Sequence, residues 1–186
     1  MLNTFVVYVE NKPGVLNRVA SLFRRRAFNI ESLTVGHTDK PGVSRMTIVV
    51  DTDEQGARRL EANLYKLVNV LLVSNISGSP NVMRDLAMIK VNATPDTRSH
   101  LLQLVHVFRA RVVDVAPESL IIEITGTEDK IDGLMEVLRP FGIVEMVRTG
   151  RVAMSRGAKS AAAAVGMTDA TIPPEFRDDE DVSYSV

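Results

Sequence analysis

The amino-acid sequence predicts an α+β protein made of two βαββαβ units and a C-terminal tail. Alternating apolar residues, which indicate strands, exchange with the three-to-four-residue spacing of helices in the order strand, helix, strand, strand, helix, strand. This order occurs within residues 1–77 and again, with a different sequence, within residues 82–157. Residues 158–186 have no sustained apolar period and carry an acidic run. We therefore expect two domains followed by a flexible acidic tail.

Composition sets limits on the class of protein. The chain has 186 residues, of which 45% are hydrophobic and 24% charged, as in ordinary globular domains. A formal net charge of -1 gives no global field that would attract nucleic acid or an anionic membrane. The absence of cysteine excludes a disulfide framework, a thiolate metal site and a cysteine nucleophile. With no targeting signal in the first residues and no run of about 20 apolar residues, we expect a cytoplasmic protein.

The first strand and helix follow directly from the spacing of apolar residues. Residues 4–9, TFVVYV, alternate between two faces and predict a strand. From Gly14 to Arg26 the apolar residues change to helical spacing and predict the first helix. Three arginines, residues 24–26, fall on its last turn, where cations interact favourably with the helix dipole. A nucleic-acid contact is the alternative interpretation of this triplet.

The rest of the first unit is a hairpin, a helix and a strand. Residues 39–42, Asp-Lys-Pro-Gly, separate two β-rich runs and predict the hairpin loop. The sequence Thr-Asp-Glu-Gln at residues 52–55 matches a capping box and predicts that Thr52 begins the second helix. The run VNVLLVSNI predicts the fourth strand.

The second unit repeats this order after the loop-rich residues 77–81. The run LAMIKVNA predicts a strand, and Thr94 followed by Pro95 predicts a helix N-terminus. RVVDVA and SLIIEIT predict a hairpin, Pro140 ends a further helix, and GIVEMVRTG predicts the last strand. Both units therefore have the ferredoxin-like arrangement.

The loop before the first helix has the residue types of a small anion site. The first N–H groups of a helix lack intrahelical partners, and the helix dipole is positive there. Gly14 has no Cβ to block approach, and Asn11 offers both a donor and an acceptor, which suits a group that carries NH₃⁺ and COO⁻ together. From physical chemistry alone the alternative stays open that Asn11 merely caps the helix and Gly14 relieves a tight turn.

A second polar signal is Asn29, which lies between the first helix and the next strand. An asparagine at this position commonly adopts left-handed geometry just after a helix. The functional alternative is that its amide contacts a ligand across a subunit boundary.

Other functional classes have little support in the sequence. RNA-binding modules of this topology stack bases on exposed aromatic residues of the central strands, and SRMTIVV has none. His100 and His106 are six residues apart on one predicted helix, and His37 lies near a hairpin, so the three histidines form no catalytic or metal-ligating set. No helix-turn-helix segment or basic patch indicates a transcriptional regulator.

A longer set of motifs resembles a known family. The segments VENKPGVLNRVASLFRRRAFNIESLTVGH and SRMTIVV closely resemble the ACT domain of small, regulatory subunits of acetohydroxyacid synthase (acetolactate synthase). LYKLVNVLLV, the IVE of the last predicted strand and GRVAMSRG are similar to later landmarks of the family, so the resemblance covers residues 2 to about 157. The tail departs from the short bacterial form.

The resemblance implies a regulatory subunit with no catalytic residues and no metal site of its own. Such subunits bind the large catalytic subunit, raise its activity and confer feedback inhibition by a branched-chain amino acid, most often valine. The catalytic partner carries thiamine diphosphate, Mg²⁺ and FAD. The alternative is an ACT-domain amino-acid sensor that regulates a different pathway enzyme.

The resemblance also implies the binding residues. Two ACT domains pair side by side in a homodimer, and the amino acid lies at their interface. One protomer contributes Asn11, Gly14, Val15 and Leu16, and the other contributes Asn29 and Ile30. Because one methylene in such a pocket discriminates by only about 1–3 kcal/mol, valine, isoleucine and leucine should differ in degree.

Overall fold

The computed structural model describes residues 1–157, and the tail predicted at residues 158–186 lies outside the described residues. The described chain divides into two compact units. One comprises Met1–Val82 together with residues 153–157, and the other comprises Met83–Val152. The sequence-based boundaries differ from this division, because they assigned residues 153–157 to the second domain.

The first unit has the predicted βαββαβ order. Its elements are β1 (Leu2–Glu10), α1 (Val15–Arg25), β2 (Ser32–His37), β3 (Val43–Asp51), α2 (Glu54–Leu64) and β4 (Val70–Asn75). The sheet is antiparallel with strand order β2-β3-β1-β4. β2 is therefore an edge strand, and the first turn of α1 follows the end of the central strand β1.

The core of this unit lies between the sheet and its two helices. Alternate residues of β1 and β3 point to the helix side, as the sequence alternation predicts. The apolar stripes of α1 and α2 cover them. The buried cluster comprises Phe5, Val7, Val9, Val15, Val19, Leu22, Phe23, Met46, Ile48, Val50, Ala57, Leu60, Leu64 and Val73.

The second unit repeats the same topology. Its elements are β5 (Asn81–Asn92), α3 (Pro95–Val107), β6 (Arg111–Val115), β7 (Ser119–Gly126), α4 (Glu128–Leu138) and β8 (Ile143–Arg148). Strand order β6-β7-β5-β8 matches that of the first sheet. Thr94 caps α3 with Pro95 at its start, and α4 ends at Leu138 just before Pro140, so both predictions are confirmed.

A fifth strand, which the sequence analysis missed, pairs with β5. This strand, β9, spans Val152–Ser155. The backbone N–H of Arg156 donates to the Pro80 carbonyl oxygen over 2.9 Å. The guanidinium of Arg45, which projects from the sheet face opposite the helices, donates to the Ala153 carbonyl oxygen. These contacts explain why residues 153–157 group with the first unit.

Two predictions about helix ends are wrong. The N-cap of α2 is Asp53, whose carboxylate accepts from the Gly56 N–H over 2.6 Å, and not Thr52. After α1 the left-handed residue is Ala27, with φ 55°, and not Asn29. The backbone N–H of Phe28 bonds to the Phe23 carbonyl over 3.0 Å, so the chain leaves the helix before Asn29 is reached. None of the helices in residues 1–157 is long and apolar enough to span a membrane.

Candidate ligand-binding site at the first turn of α1

The N-terminus of α1 is open to solvent and is not closed by any side chain. Gly14 is the N-cap residue, with φ 82° in the left-handed region, and no side-chain hydrogen bond caps the helix. A Cβ placed on Gly14 would meet no atom within 4 Å. The loop thus combines a backbone conformation that favours glycine with free space in front of the helix end.

The backbone hydrogen bonds of this turn leave two donors unused. The Val15 N–H donates to the Lys12 carbonyl over 3.3 Å, and the Arg18 N–H donates to Gly14 over 3.0 Å. Between them, the N–H groups of Leu16 and Asn17 have no acceptor within residues 1–157. These two donors lie at the positive end of the helix dipole, where a carboxylate binds favourably.

In the other α-helices, acidic side chains compensate the positive end of the helix dipole. The first turns of α2, α3 and α4 contain acidic side chains, which are Glu54, Asp96, and the pair Glu128 and Asp129. Among the four α-helices of the described residues, α1 alone has neither an acidic first turn nor a side-chain cap. The local field that an anion would meet is therefore least compensated at α1.

Asn11 lies beside this turn and does not cap the helix, so that part of the alternative interpretation is wrong, whereas Gly14 does adopt the left-handed geometry of a tight turn. Its backbone N–H donates to the Gly42 carbonyl oxygen over 2.7 Å, which anchors the loop to the start of β3. Its exposed side-chain Nδ2 lies 3.5 Å from Nδ1 of His37. Sequence analysis did not associate His37 with this loop, because the contact depends on the register of β2 against β3.

The two apolar residues of the turn have different environments. The Val15 side chain is only 4% exposed and belongs to the hydrophobic core, so it supports the loop from beneath. The Leu16 side chain is 45% exposed on the outer surface of the same turn. Leu16 is therefore the apolar group of this turn that can contact a small molecule.

Asn29 and Ile30 lie elsewhere in the unit. The Asn29 Nδ2 donates to the Glu31 carboxylate over 2.6 Å, and the half-buried Ile30 packs on the core. The Glu31 N–H donates to the Val49 carbonyl oxygen over 2.9 Å, close to the end of β3. The amide of Asn29 is thus oriented by Glu31 and exposed.

Within one copy of the chain the two halves of the predicted site do not meet. Asn11 is anchored beside the start of β3, and Glu31 is anchored to Val49 near its end. The six residue steps from Val43 to Val49 extend roughly 20 Å at strand geometry. The fold brings Asn11, Gly14, Val15 and Leu16 together and leaves Asn29 and Ile30 at the opposite end of the sheet.

The second unit has a polar cluster of another kind. Arg148 donates to Asp85 over 2.6 Å and to Asp132 over 2.9 Å, and Arg151 donates to Glu128 over 2.7 Å. Burial opposes the charge of Arg148, but its bonds and charge interactions with Asp85 and Asp132 outweigh this, and its pKa is raised above the ordinary value. The cluster ties α4 to β5 and β8.

No arrangement for metal binding is present in the part of the chain that the structure describes. Residues 1–157 contain no group of three or more histidine or acidic side chains that could hold a metal ion. The His100 ring packs edge-on against Phe141 with centroids 5.4 Å apart.

Comparisons with known proteins agree with the fold of both units. Residues 5–72 match the family model of the AHAS (acetohydroxyacid synthase) small subunit-like ACT domain, and residues 84–157 match the model of the small subunit of acetolactate synthase. A probable acetolactate synthase small subunit from Archaeoglobus fulgidus is 52% identical over 86% of this chain and 99% of its own length.

Further relatives come from bacteria. An acetolactate synthase small subunit from Mycobacterium leprae is 50% identical over 83% of this chain and 92% of its own. A crystal structure of an acetolactate synthase small subunit from Thermotoga maritima matches with a TM-score of 0.80 and 39% identity, over 86% of this chain and 99% of that one. The chain therefore belongs to the acetolactate synthase small-subunit family, whose members are regulatory and non-catalytic.

Proposed function

We propose that the chain binds the large catalytic subunit of acetolactate synthase, activates it, and makes it sensitive to feedback inhibition by valine. The observation that carries the ligand-binding part is the first turn of α1, with its two unused N–H groups and no acidic or capping side chain. The catalytic partner holds the thiamine diphosphate, Mg²⁺ and FAD, and this chain supplies regulation of branched-chain amino-acid biosynthesis.

Each part of a free amino acid has a matching group at this turn. The carboxylate accepts from the N–H groups of Leu16 and Asn17 at the positive helix end. The ammonium donates to the side-chain oxygen of Asn11, and the aliphatic side chain packs on Leu16. Valine is the proposed main effector, and isoleucine and leucine bind with affinities within about 1–3 kcal/mol of it because they differ by one methylene group.

The opposite half of the site comes from a second copy of the chain. β2 is an edge strand, and such edges pair readily with another strand. Antiparallel pairing of two β2 edges about a two-fold axis places the start of one β2 beside the end of the other. Since His37 at the end of β2 lies next to Asn11, Asn29 and Ile30 of one copy then reach the α1 turn of its partner.

Feedback inhibition then follows from differential binding. A ligand shared between two copies stabilises one arrangement of the pair over others, and inhibition requires that the inhibited complex bind valine more tightly than the active complex. A coupling free energy of about 1–3 kcal/mol, equivalent to roughly 5- to 150-fold in affinity, is typical of such control.

Calorimetric titration of valine, isoleucine and leucine into the purified full chain tests this proposal. We expect valine to bind most tightly and Asn29→Ala to weaken all three ligands, because the variant removes a polar group of the partner half. Reconstitution with the large subunit should show activation without valine and inhibition with it. Copurification with an unrelated amino-acid pathway enzyme would instead support the ACT-sensor alternative.

A mixed dimer tests whether the site is shared. Asn11→Ala and Asn29→Ala homodimers each carry one defect in every site, so both should bind valine weakly. A heterodimer of the two variants has one doubly altered site and one intact site. Purified through two different tags, it should recover wild-type affinity at half the stoichiometry. No recovery would show that both asparagines act within one chain, or that neither contacts the ligand.

A further inference from the structure

A cationic groove lies between the C-terminal ends of α1 and α2. It is at the opposite end of α1 from the candidate ligand site. Its volume is about 430 Å³, and it is lined by Leu22, Arg25, Arg26, Asn63, Lys66 and Leu67. The two leucines supply apolar surface. The three cationic side chains come from two chain segments, Arg25 and Arg26 at the end of α1 and Lys66 in the turn after α2. No acidic side chain lines it.

The charges of this groove are not compensated by neighbouring residues. Arg25, Arg26 and Lys66 are exposed, and none of them forms an ion pair within residues 1–157. Arg26 donates to the neutral Asn63 side chain over 3.2 Å. Glu61 is two residues before Asn63 on α2 and therefore on a different side of that helix. The groove thus presents three positive charges to solvent.

Stabilisation of the helix dipoles does not account for this arrangement. Cations anywhere on the last turn of α1 would interact favourably with its negative end, and Arg24 already provides one outside the groove. Two separate chain segments bring their cations to one groove with an apolar floor. Such a groove is instead complementary to an acidic segment that also carries an apolar residue.

The same chain contains such a segment. Residues 158–186 carry six acidic and two basic side chains, a formal charge of -4, whereas residues 1–157 carry 17 acidic and 20 basic side chains, a formal charge of +3. Four consecutive acidic residues occupy positions 178–181, and Phe176 and Arg177 precede them, so residues 175–181 carry a formal charge of -4. We propose that residues 175–181 of the same chain bind in the groove, with carboxylates on Arg25, Arg26 and Lys66 and Phe176 on the leucine floor.

Chain length permits this contact. Twenty residues lie between Gly157 and Asp178, and a chain of that length spans up to roughly 70 Å when extended. Residues 153–157 and both groove helices belong to the same compact unit, whose radius of gyration is on the order of 12 Å. The interaction is electrostatic and exposed, so salt should weaken it strongly.

Carbodiimide cross-linking of the full chain tests the proposal, because the reagent joins a lysine amine to a carboxylate only when the two are in contact. We expect a cross-link between Lys66 and residues 178–181 at low salt, identified by mass spectrometry of the digested protein. It should be lost in 1 M salt, where the Debye length falls to about 3 Å. A mixture of unlabelled and ¹⁵N-labelled chains should give cross-links within one isotopic form.

Matched variants separate docking in the groove from general attraction. Arg25→Ala/Arg26→Ala keeps Lys66 but removes two of the three charges, and should abolish the cross-link. Arg24→Ala removes a charge of the same triplet outside the groove and should retain it. No Lys66 cross-link, equal loss in both variants, or cross-links only between isotopic forms would overturn the proposal. The assay uses no effector, so its result is independent of the proposed valine site.

Discussion

The first helices of the two units, α1 and α3, occupy the same place in the same topology but begin in opposite ways. α3 begins with a capping box, in which the Thr97 N–H donates to the Thr94 hydroxyl over 3.3 Å and the Thr94 N–H donates to Thr97 over 3.0 Å. α1 begins at a left-handed glycine with no cap. One helix end is closed by its own side chains, and the other is left open.

The difference does not come from the surrounding fold, which is closely matched in the two units. In each central strand the pairing register shifts just before the strand ends, between Tyr8 and Val9 in β1 and between Lys90 and Val91 in β5. Each first helix ends at a left-handed residue other than glycine, which is Ala27 after α1 and Arg109 after α3. The repeated framework therefore has one open and one closed helix N-terminus, and residue identity at the first turn decides which.

The largest expected effect comes from closing the open turn with a negative charge. Gly14→Asp should weaken valine binding by about 100-fold or more, which is about 2.8 kcal/mol. The introduced carboxylate would either occupy the place of the valine carboxylate or repel it. Activation of the large subunit should persist. Calorimetry and assays of the reconstituted complex measure both. The control Gly78→Asp adds the same charge in the same unit, at a position where a side chain meets open space. This variant should bind valine normally. If the Gly14→Asp variant kept normal feedback inhibition, the first turn of α1 would not be the valine site.

The ionic cluster of the second unit should contribute stability and not ligand binding. Asp85→Asn removes the charge that accepts from Arg148 and should lower the free energy of unfolding by about 2 kcal/mol. Glu54→Gln breaks the exposed pair with Arg58 and should cost no more than about 0.5 kcal/mol. Urea denaturation measures both. Loss of valine affinity in Asp85→Asn without loss of stability would contradict the assigned role.

Removing the cap of α3 should have a smaller effect. Thr94→Ala eliminates the side-chain acceptor for the Thr97 N–H and should destabilise the second unit by about 1 kcal/mol. Ser99→Ala, an exposed position within the same helix, is the control and should be nearly neutral. Urea denaturation again provides the measurement. Equal effects of the two substitutions would mean that the capping box is not what stabilises this turn.

The smallest effect concerns Glu61 on α2. Desolvation by burial raises the pKa of this carboxyl above its usual 4.5, so the folded chain holds the proton more tightly than the unfolded chain. Its favourable contribution is therefore present below the usual pKa and lost as pH rises through the raised value. Glu61→Gln should stabilise the protein at pH 7 by at most about 0.5 kcal/mol. Unfolding experiments at pH 7 and near pH 4 should show the gain only at the higher pH.

Sequence analysis predicted most of the elements because their signals are local. The Pro-Gly loop, the Thr94-Pro95 start and the end before Pro140 each depend on a few adjacent residues. Local signals were ambiguous at Thr52 and Asp53, since both can cap a helix and the position of the first turn decides between them. At the end of α1, packing of Phe28 against the core places Ala27 in the left-handed conformation, and the preference of asparagine for that geometry had no effect.

Non-local contacts account for what the sequence did not predict. The strand β9 is four residues long, and its pairing with β5 joins segments far apart in sequence. The approach of His37 to Asn11 depends on the register between β2 and β3. Residue chemistry indicated Asn11, Gly14 and Asn29, and the resemblance added Val15, Leu16 and Ile30. The fold then places Asn29 and Ile30 at the other end of the sheet.

The position of β9 gives the protein the connectivity of an inserted domain. The first unit is made of two sequence segments, and the chain leaves it near Pro80 and returns at Arg156, where the backbone atoms of these residues are hydrogen-bonded at 2.9 Å. In sequence, residues 83–152 are therefore an insertion between the two segments of the first unit.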